Sequence, residues 1–220
     1  AAGMTYQLTS EQFAVNQVKH YVGKLGRTDH AGGANWIFSD STSGGRVPAE
    51  VARASGEVDG VRLPKEAYYV CQVMFDESLP RVHIVGHWNY PHATTKPVYV
   101  VARADEVELL VNGKSLGRSN KPDHGFLFTF DAVTFEPGEI RAVAYASGKP
   151  VATQTKRTAG PPAALRLTPI TSPEGFLANG SDVVLVDAEV VDAAGNRVPT
   201  FNGRIDLAVT GNAVWRGGYN

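Results

Sequence analysis

The chain has 220 residues, of which 43% are hydrophobic and 20% charged, enough apolar content to build a core. Its formal net charge of -1 argues against nucleic acid and anionic membrane as partners, since both require a basic face. No apolar run approaches the roughly 20 residues of a membrane span, and the single cysteine, Cys71, excludes an internal disulfide and a cysteine-based metal site.

The opening AAGMTYQLTSEQ has no initiator Met and no charged leader, and reads as starting inside a larger protein. Thr9-Ser10-Glu11-Gln12 has the pattern of a capping box and predicts a helix start there. Ala14, Val18, Tyr21, Val22 and Leu25 recur at helical spacing, and Gly26 can stop the helix. The apolar stretch 32 to 38 predicts a buried strand, and a long polar loop follows it to about Pro64. A second helix comes next, with Ala67, Val70, Cys71, Met74 and Phe75 on one face, and Asp76-Glu77-Ser78 and Pro80 marking its end. Cys71 belongs to that apolar stripe, which favours packing over reactivity. Helix, buried strand, long loop, helix is the rhythm of an α/β unit with a parallel strand, and one such unit does not stand alone.

After residue 80 the pattern becomes all-β. Strands are predicted at 98 to 102, 107 to 111, 126 to 130, 140 to 145 and 151 to 155. Asn112-Gly113 supplies a tight hairpin turn, Pro137-Gly138 another turn, and Gly148 a break. Turns at this spacing predict a β-sandwich. Ala159-Gly160-Pro161-Pro162 is a short linker. A second run of strands follows at 165 to 168, 182 to 191 and 205 to 209, with the turn Asp192-Ala193-Ala194-Gly195-Asn196 between the last two. It stops before enough strands have appeared to close two sheets.

Five segments in order, GGANWIFSDS, GEVDGVRLPKEAYY, VHIVGHWNYP, VELLVNGKSLG and PGEIRAVAYASGKPVATQTKRTAGPPAALRLTP, resemble glycoside hydrolase family two, the β-galactosidase and β-glucuronidase family. The similarity runs from about residue 28 to residue 220. It implies a mixed architecture: the C-terminal α/β piece of a (β/α)8 barrel over 1 to 85, then two immunoglobulin-like antiparallel β-sandwich domains over 86 to 158 and 159 to 220, the last incomplete. The tryptophan strand would be the last barrel strand and the helix after Pro64 the closing helix. Barrel enzymes place their pocket at the C-terminal ends of the strands. Trp36 would therefore lie at the pocket, with the polar loop lining its mouth.

Retaining glycosidases use two carboxylates about 5 Å apart. The resemblance places both upstream of residue 1, so no catalytic acid is expected in this chain, which alone should be inactive. Asp40 is the only acid near the strand end, and no second strand-end carboxylate pairs with it. What remains is substrate positioning. The resemblance makes Trp36 the active-site tryptophan, whose indole suits the apolar face of a pyranose; packing at a barrel seam is the plainer alternative. Asp40 could bond a sugar hydroxyl or pin the loop through backbone N–H groups, with the second favoured. Asn35 and Arg46 are weaker rim candidates. The β-glucuronidase branch carries an Asn-x-Lys pair in this loop that recognises the sugar carboxylate. Here those places hold Arg53 and Ser55, which shifts the expectation to a neutral sugar, galactose first, although Arg53 could still meet a carboxylate.

His83, His87 and His92 are close in sequence, but extended chain would put His83 and His87 about 13 Å apart. No metal and no cofactor is expected. Trp88 and Tyr90 of HWNYP are expected to anchor the junction between barrel and sandwich. Neither a phosphate loop nor a serine nucleophile is apparent. Asn179-Gly180-Ser181 matches a glycosylation sequon, a common chance triplet. The expected partners are a glycoside substrate and the upstream part of the same enzyme; a homo-oligomer and the compartment stay open. Two alternatives stand beside this reading. One is a non-catalytic carbohydrate-binding or adhesion module, which leaves the helical first third unexplained. The other is a family relative acting on a β-mannoside or β-glucuronide.

Overall fold

The computed structural model of the chain describes residues 6–25, 27–29, 31, 33–34, 37–41 and 54–218. Among the described residues, two helices, α1 (Tyr6–Leu25) and α2 (Glu66–Phe75), precede nine strands. The strands are β1 (Val82–Ile84), β2 (Thr95–Ala102), β3 (Glu106–Val111), β4 (Lys114–Ser119), β5 (Leu127–Thr134), β6 (Glu139–Ala146), β7 (Lys149–Arg157), β8 (Ala164–Ile170) and β9 (Leu185–Val191). They form three antiparallel sheets, ordered β1-β2-β5, β4-β3-β6-β7 and β8-β9.

The first two sheets make a sandwich, and α1 and α2 cover its outer side. Side-chain alternation along β2 and β5 builds this order. Val98, Val100, Ala102 and Phe128 face the four-stranded sheet, where they meet Val107, Leu109, Ile140 and Ala142. Val101 and Leu127 point the other way and pack on Ala14, Val18, Val70 and Met74 of the helices. Both faces of the three-stranded sheet are thus buried, which explains the unbroken apolar run Val98-Tyr99-Val100-Val101-Ala102. Trp88 closes one end of the sandwich core, edge-on to Phe135 and Tyr90, and its indole N–H donates to the Glu136 carbonyl at 3.1 Å. These contacts of Trp88 lie within the sandwich, whereas Tyr90 also reaches the helical part through Glu11 at 3.1 Å.

Two expectations change, and a third falls largely outside the described residues. The helix starts by Tyr6, so Thr9 and Ser10 lie inside α1 and the capping-box pattern does not cap it. Glu11 is drawn instead into a buried contact with the sandwich, which outweighs a local cap. Of the strand predicted over 32 to 38, Gly32, Asn35 and Trp36 lie outside the described residues. Just past its predicted end, Ser39 makes an isolated parallel bridge to Val58. The strand predicted over 205 to 209 is irregular, with no neighbour to complete a ladder among the described residues. In the two-stranded sheet, Leu165, Leu167, Val186 and Val190 share one face, and Leu167 is 55% exposed. Arg166 and Glu189 pair on the opposite face at 2.7 Å.

Candidate functional site

Asp40 lies where the chain leaves the bridge between Ser39 and Val58. Its backbone N–H donates to the Val58 carbonyl at 3.0 Å, and the Val58 N–H donates to the Phe38 carbonyl at 2.9 Å. The carboxylate turns inward. One oxygen accepts the Gly56 N–H at 2.7 Å and the Lys65 ammonium at 2.8 Å. Both charged side chains are nearly fully buried, Asp40 at 3% exposure and Lys65 at 7%. Lys65 also donates to the Ala54 carbonyl at 3.2 Å. A residue with a Cβ does not fit at Gly56: that atom would come within 2.5 Å of the Ser39 carbonyl carbon and the Val58 oxygen, and nearer still to the Asp40 amide. Asp59 closes the next turn, accepting the Val61 and Leu63 N–H groups at 2.9 and 2.8 Å. Asp40 Oδ1 thus accepts a backbone N–H of the loop, one of the two roles weighed for it, the other being to bind a sugar hydroxyl. Its Oδ1 holds both Gly56 and Lys65.

Trp36, Asn35 and Arg46, the other predicted site residues, lie outside the described residues, as does Arg53. Ser55 is described and lies between Ala54 and Gly56, the two residues held by Lys65 and Asp40. An open groove of about 390 Å³ beside the loop is lined by Glu57, Tyr68, Cys71, Gln72 and Phe75. Burial and the neighbouring Glu57 push the Cys71 thiol up to about 12, so it is not a thiolate nucleophile at neutral pH.

A second polar cluster joins the helices to the sandwich. Glu66, the first residue of α2, accepts the Gly86 N–H at 2.9 Å and contacts His83 Nε2 at 2.7 Å. Lys156 from β7 lies 3.7 Å from the same carboxylate and donates to the Gly86 carbonyl. Gln154 completes the frame, accepting the Ile84 N–H at 2.6 Å and lying 3.3 Å from His83 Nδ1. These contacts fit a neutral His83 that donates from Nε2 to Glu66 and accepts at Nδ1 from Gln154. Burial acts in the same direction, lowering the His83 pKa. Burial pushes the Glu66 carboxyl upward, but the His83 hydrogen bond and the Lys156 charge outweigh it and hold the group at about 2. Next to this frame, Glu11 accepts from Tyr90 at 3.1 Å and pairs with Lys96 at 2.9 Å. Gly86, at φ +89°, leaves room for the Glu11 carboxylate, which a Cβ would strike. Sequence reasoning missed this cluster. Its members come from α1, α2, β1, β2 and β7, and Gln154 lies 71 positions from His83. The one local signal was a histidine and a glutamate next to apolar runs. Among the described residues, no group of His, Cys, Asp and Glu could hold a metal ion.

Comparison with known proteins adds the following. Residues 93–152 match a family described as "Domain of unknown function (DUF4982)". A β-glucuronidase from Formosa agariphila is 54% identical over 217 residues, covering 98% of this chain and 22% of the relative. A β-galactosidase from Bacteroides ovatus is 38% identical over 169 residues, 76% of this chain and 19% of the relative. A solved structure described as a β-glucuronidase from glycoside hydrolase family 2 superposes with a TM-score of 0.90 at 54% identity, covering 98% of this chain and 23% of that one. A β-glycosidase from Bacteroides vulgatus gives a TM-score of 0.60 at 28% identity over 68% of this chain and 19% of its own. The chain thus spans about a fifth of the length of the curated relatives it matches.

Proposed function

We infer that this chain, whose homologues are enzymes of glycoside hydrolase family two, is the portion of a retaining β-glycosidase that forms one wall of the substrate pocket and carries the sandwich domains behind it. Residues 1 to 85 are read as the end of a (β/α)8 barrel. The two carboxylates of a retaining mechanism come from outside this segment, which alone does not turn over substrate. Asp40 does not stand in for either, because Gly56 and Lys65 occupy it. Trp36 offers its indole to the apolar face of the bound sugar, with Asn35 and Arg46 at the rim.

The substrate class is a β-glucuronide. What carries this reading is the 54% identity to a β-glucuronidase over 98% of the chain, against 38% over 76% for a β-galactosidase. The neutral-sugar expectation rested on Arg53 and Ser55 standing where Asn and Lys were anticipated. Arg53 retains a cation at that place, and its fork can meet a uronate carboxylate in bidentate fashion. A β-galactoside is the second reading, favoured by the Bacteroides ovatus relative. Steady-state assays of the enzyme that contains this chain, on an aryl β-glucuronide and an aryl β-galactoside, separate the two. A kcat/KM for the glucuronide at least a hundredfold higher is expected, from the cost of leaving a charge-binding group without its partner. Preference for the galactoside overturns the reading, as does turnover by the 220-residue chain alone.

A further inference from the structure

The buried frame around Glu66 points to a task for the sandwich. We propose that Glu66 is a positioning residue through which the sandwich holds the loop closed by Asp40 and Gly56; that this loop borders a sugar pocket rests on the function proposed above. Two consecutive residues at the start of α2 carry the connection. Lys65, the residue that precedes the helix, reaches the loop: its ammonium binds Asp40 at 2.8 Å and the Ala54 carbonyl at 3.2 Å, and its N–H donates to Glu57 at 3.0 Å. Glu66 reaches the sandwich, through His83 at 2.7 Å and the Gly86 N–H at 2.9 Å, with Lys156 at 3.7 Å. One peptide bond joins the two anchors.

The chemistry of the contacts makes the link directional. An apolar contact tolerates small slips, whereas buried charge-assisted hydrogen bonds lose most of their value when they are displaced. His83 is itself held, by Gln154 at Nδ1 and by the Tyr69 ring stacked 5.0 Å away. The loop end cannot relax into water, since the Lys65 and Asp40 side chains are almost fully buried. A displacement of Glu66 therefore carries Lys65 with it and loosens Asp40 and Gly56.

Amide hydrogen exchange measured by NMR on the full 220-residue chain tests the link without reference to activity. In Glu66→Gln and, as a second variant, Lys156→Met, exchange at the Gly56 and Val58 amides should quicken about tenfold, the loss expected when a charged hydrogen bond is weakened. The Val107 and Leu110 amides, whose residues pair with both β4 and β6, should stay unchanged, and Arg166→Ala in β8 should leave Gly56 unaffected. Unchanged exchange at Gly56 in both variants overturns the proposal, as does an equal rise at every amide. In the enzyme that contains the chain, Glu66→Gln should raise KM for an aryl β-glucuronide several-fold at nearly constant kcat. Faster Gly56 exchange with unaltered KM would support the link and overturn the reading of this loop as pocket wall.

Discussion

Asp40 shows how far one residue can be read without its surroundings. An acid after a strand-ending tryptophan offers itself either to a ligand or to the backbone, and the structure supplies the backbone and a buried lysine. The lysine could not be anticipated. It stands 25 positions away, and only the fold brings it close. Removing one member of such a buried pair takes the counter-charge from the other. Asp40→Ala should cost about 3 kcal/mol in urea unfolding, because it takes a carboxylate away from a buried ammonium and leaves the Gly56 N–H without its acceptor. A loss below about 0.5 kcal/mol, typical of a surface change, would mean that the pair is solvated and holds nothing.

Among elements, the strands were the more legible. Period-two alternation located β3 and β6 to within a residue or two, and Asn112-Gly113, both at positive φ, turns the β3–β4 hairpin as their types require. The end of α1 was legible as well, from Gly26. Its start was not, because Glu11 serves Tyr90 and Lys96 across the junction rather than the helix end. That junction carries a pH signature. Burial, with the charges of Lys96 and Lys156, lowers His87 from 6.5 to about 4, and its ring stacks on Tyr90 at 4.5 Å. A histidine kept neutral in the fold takes up its proton more readily when unfolded. Its stabilising contribution is therefore full above about pH 6.5 and is lost as pH falls toward 4. Glu66, held at about 2 against an ordinary 4.5, extends the loss to lower pH. Melting temperature followed from pH 7 to pH 4 should fall in that window. His87→Phe, which keeps a ring against Tyr90, should flatten the curve; an equally steep fall in the variant would assign the effect elsewhere.

At the scale of the whole molecule, the layering of helices, three-stranded sheet and four-stranded sheet follows from β2 and β5 burying both of their faces. The sequence marked the sandwich, but not that the helical part is bolted to it by ionised groups. Composition and periodicity report burial, whereas pairing between residues some 70 positions apart leaves no local trace. The β8–β9 pair, apolar on one face, matches the expected immunoglobulin-like domain only to the extent of two strands. Sugar specificity was the least legible property. The mismatch at Arg53 and Ser55 favoured galactose, whereas the relative 54% identical over 98% of this chain is a β-glucuronidase.

The pocket-wall role turns on Trp36, and kinetics of Trp36→Ala in the enzyme that contains this chain test it most directly. The expected result is a fall in kcat/KM on an aryl β-glucuronide of about a hundredfold, the scale of a lost positioning contact, at an unchanged melting temperature. Wild-type kcat/KM in that variant would contradict a place for this chain at the sugar.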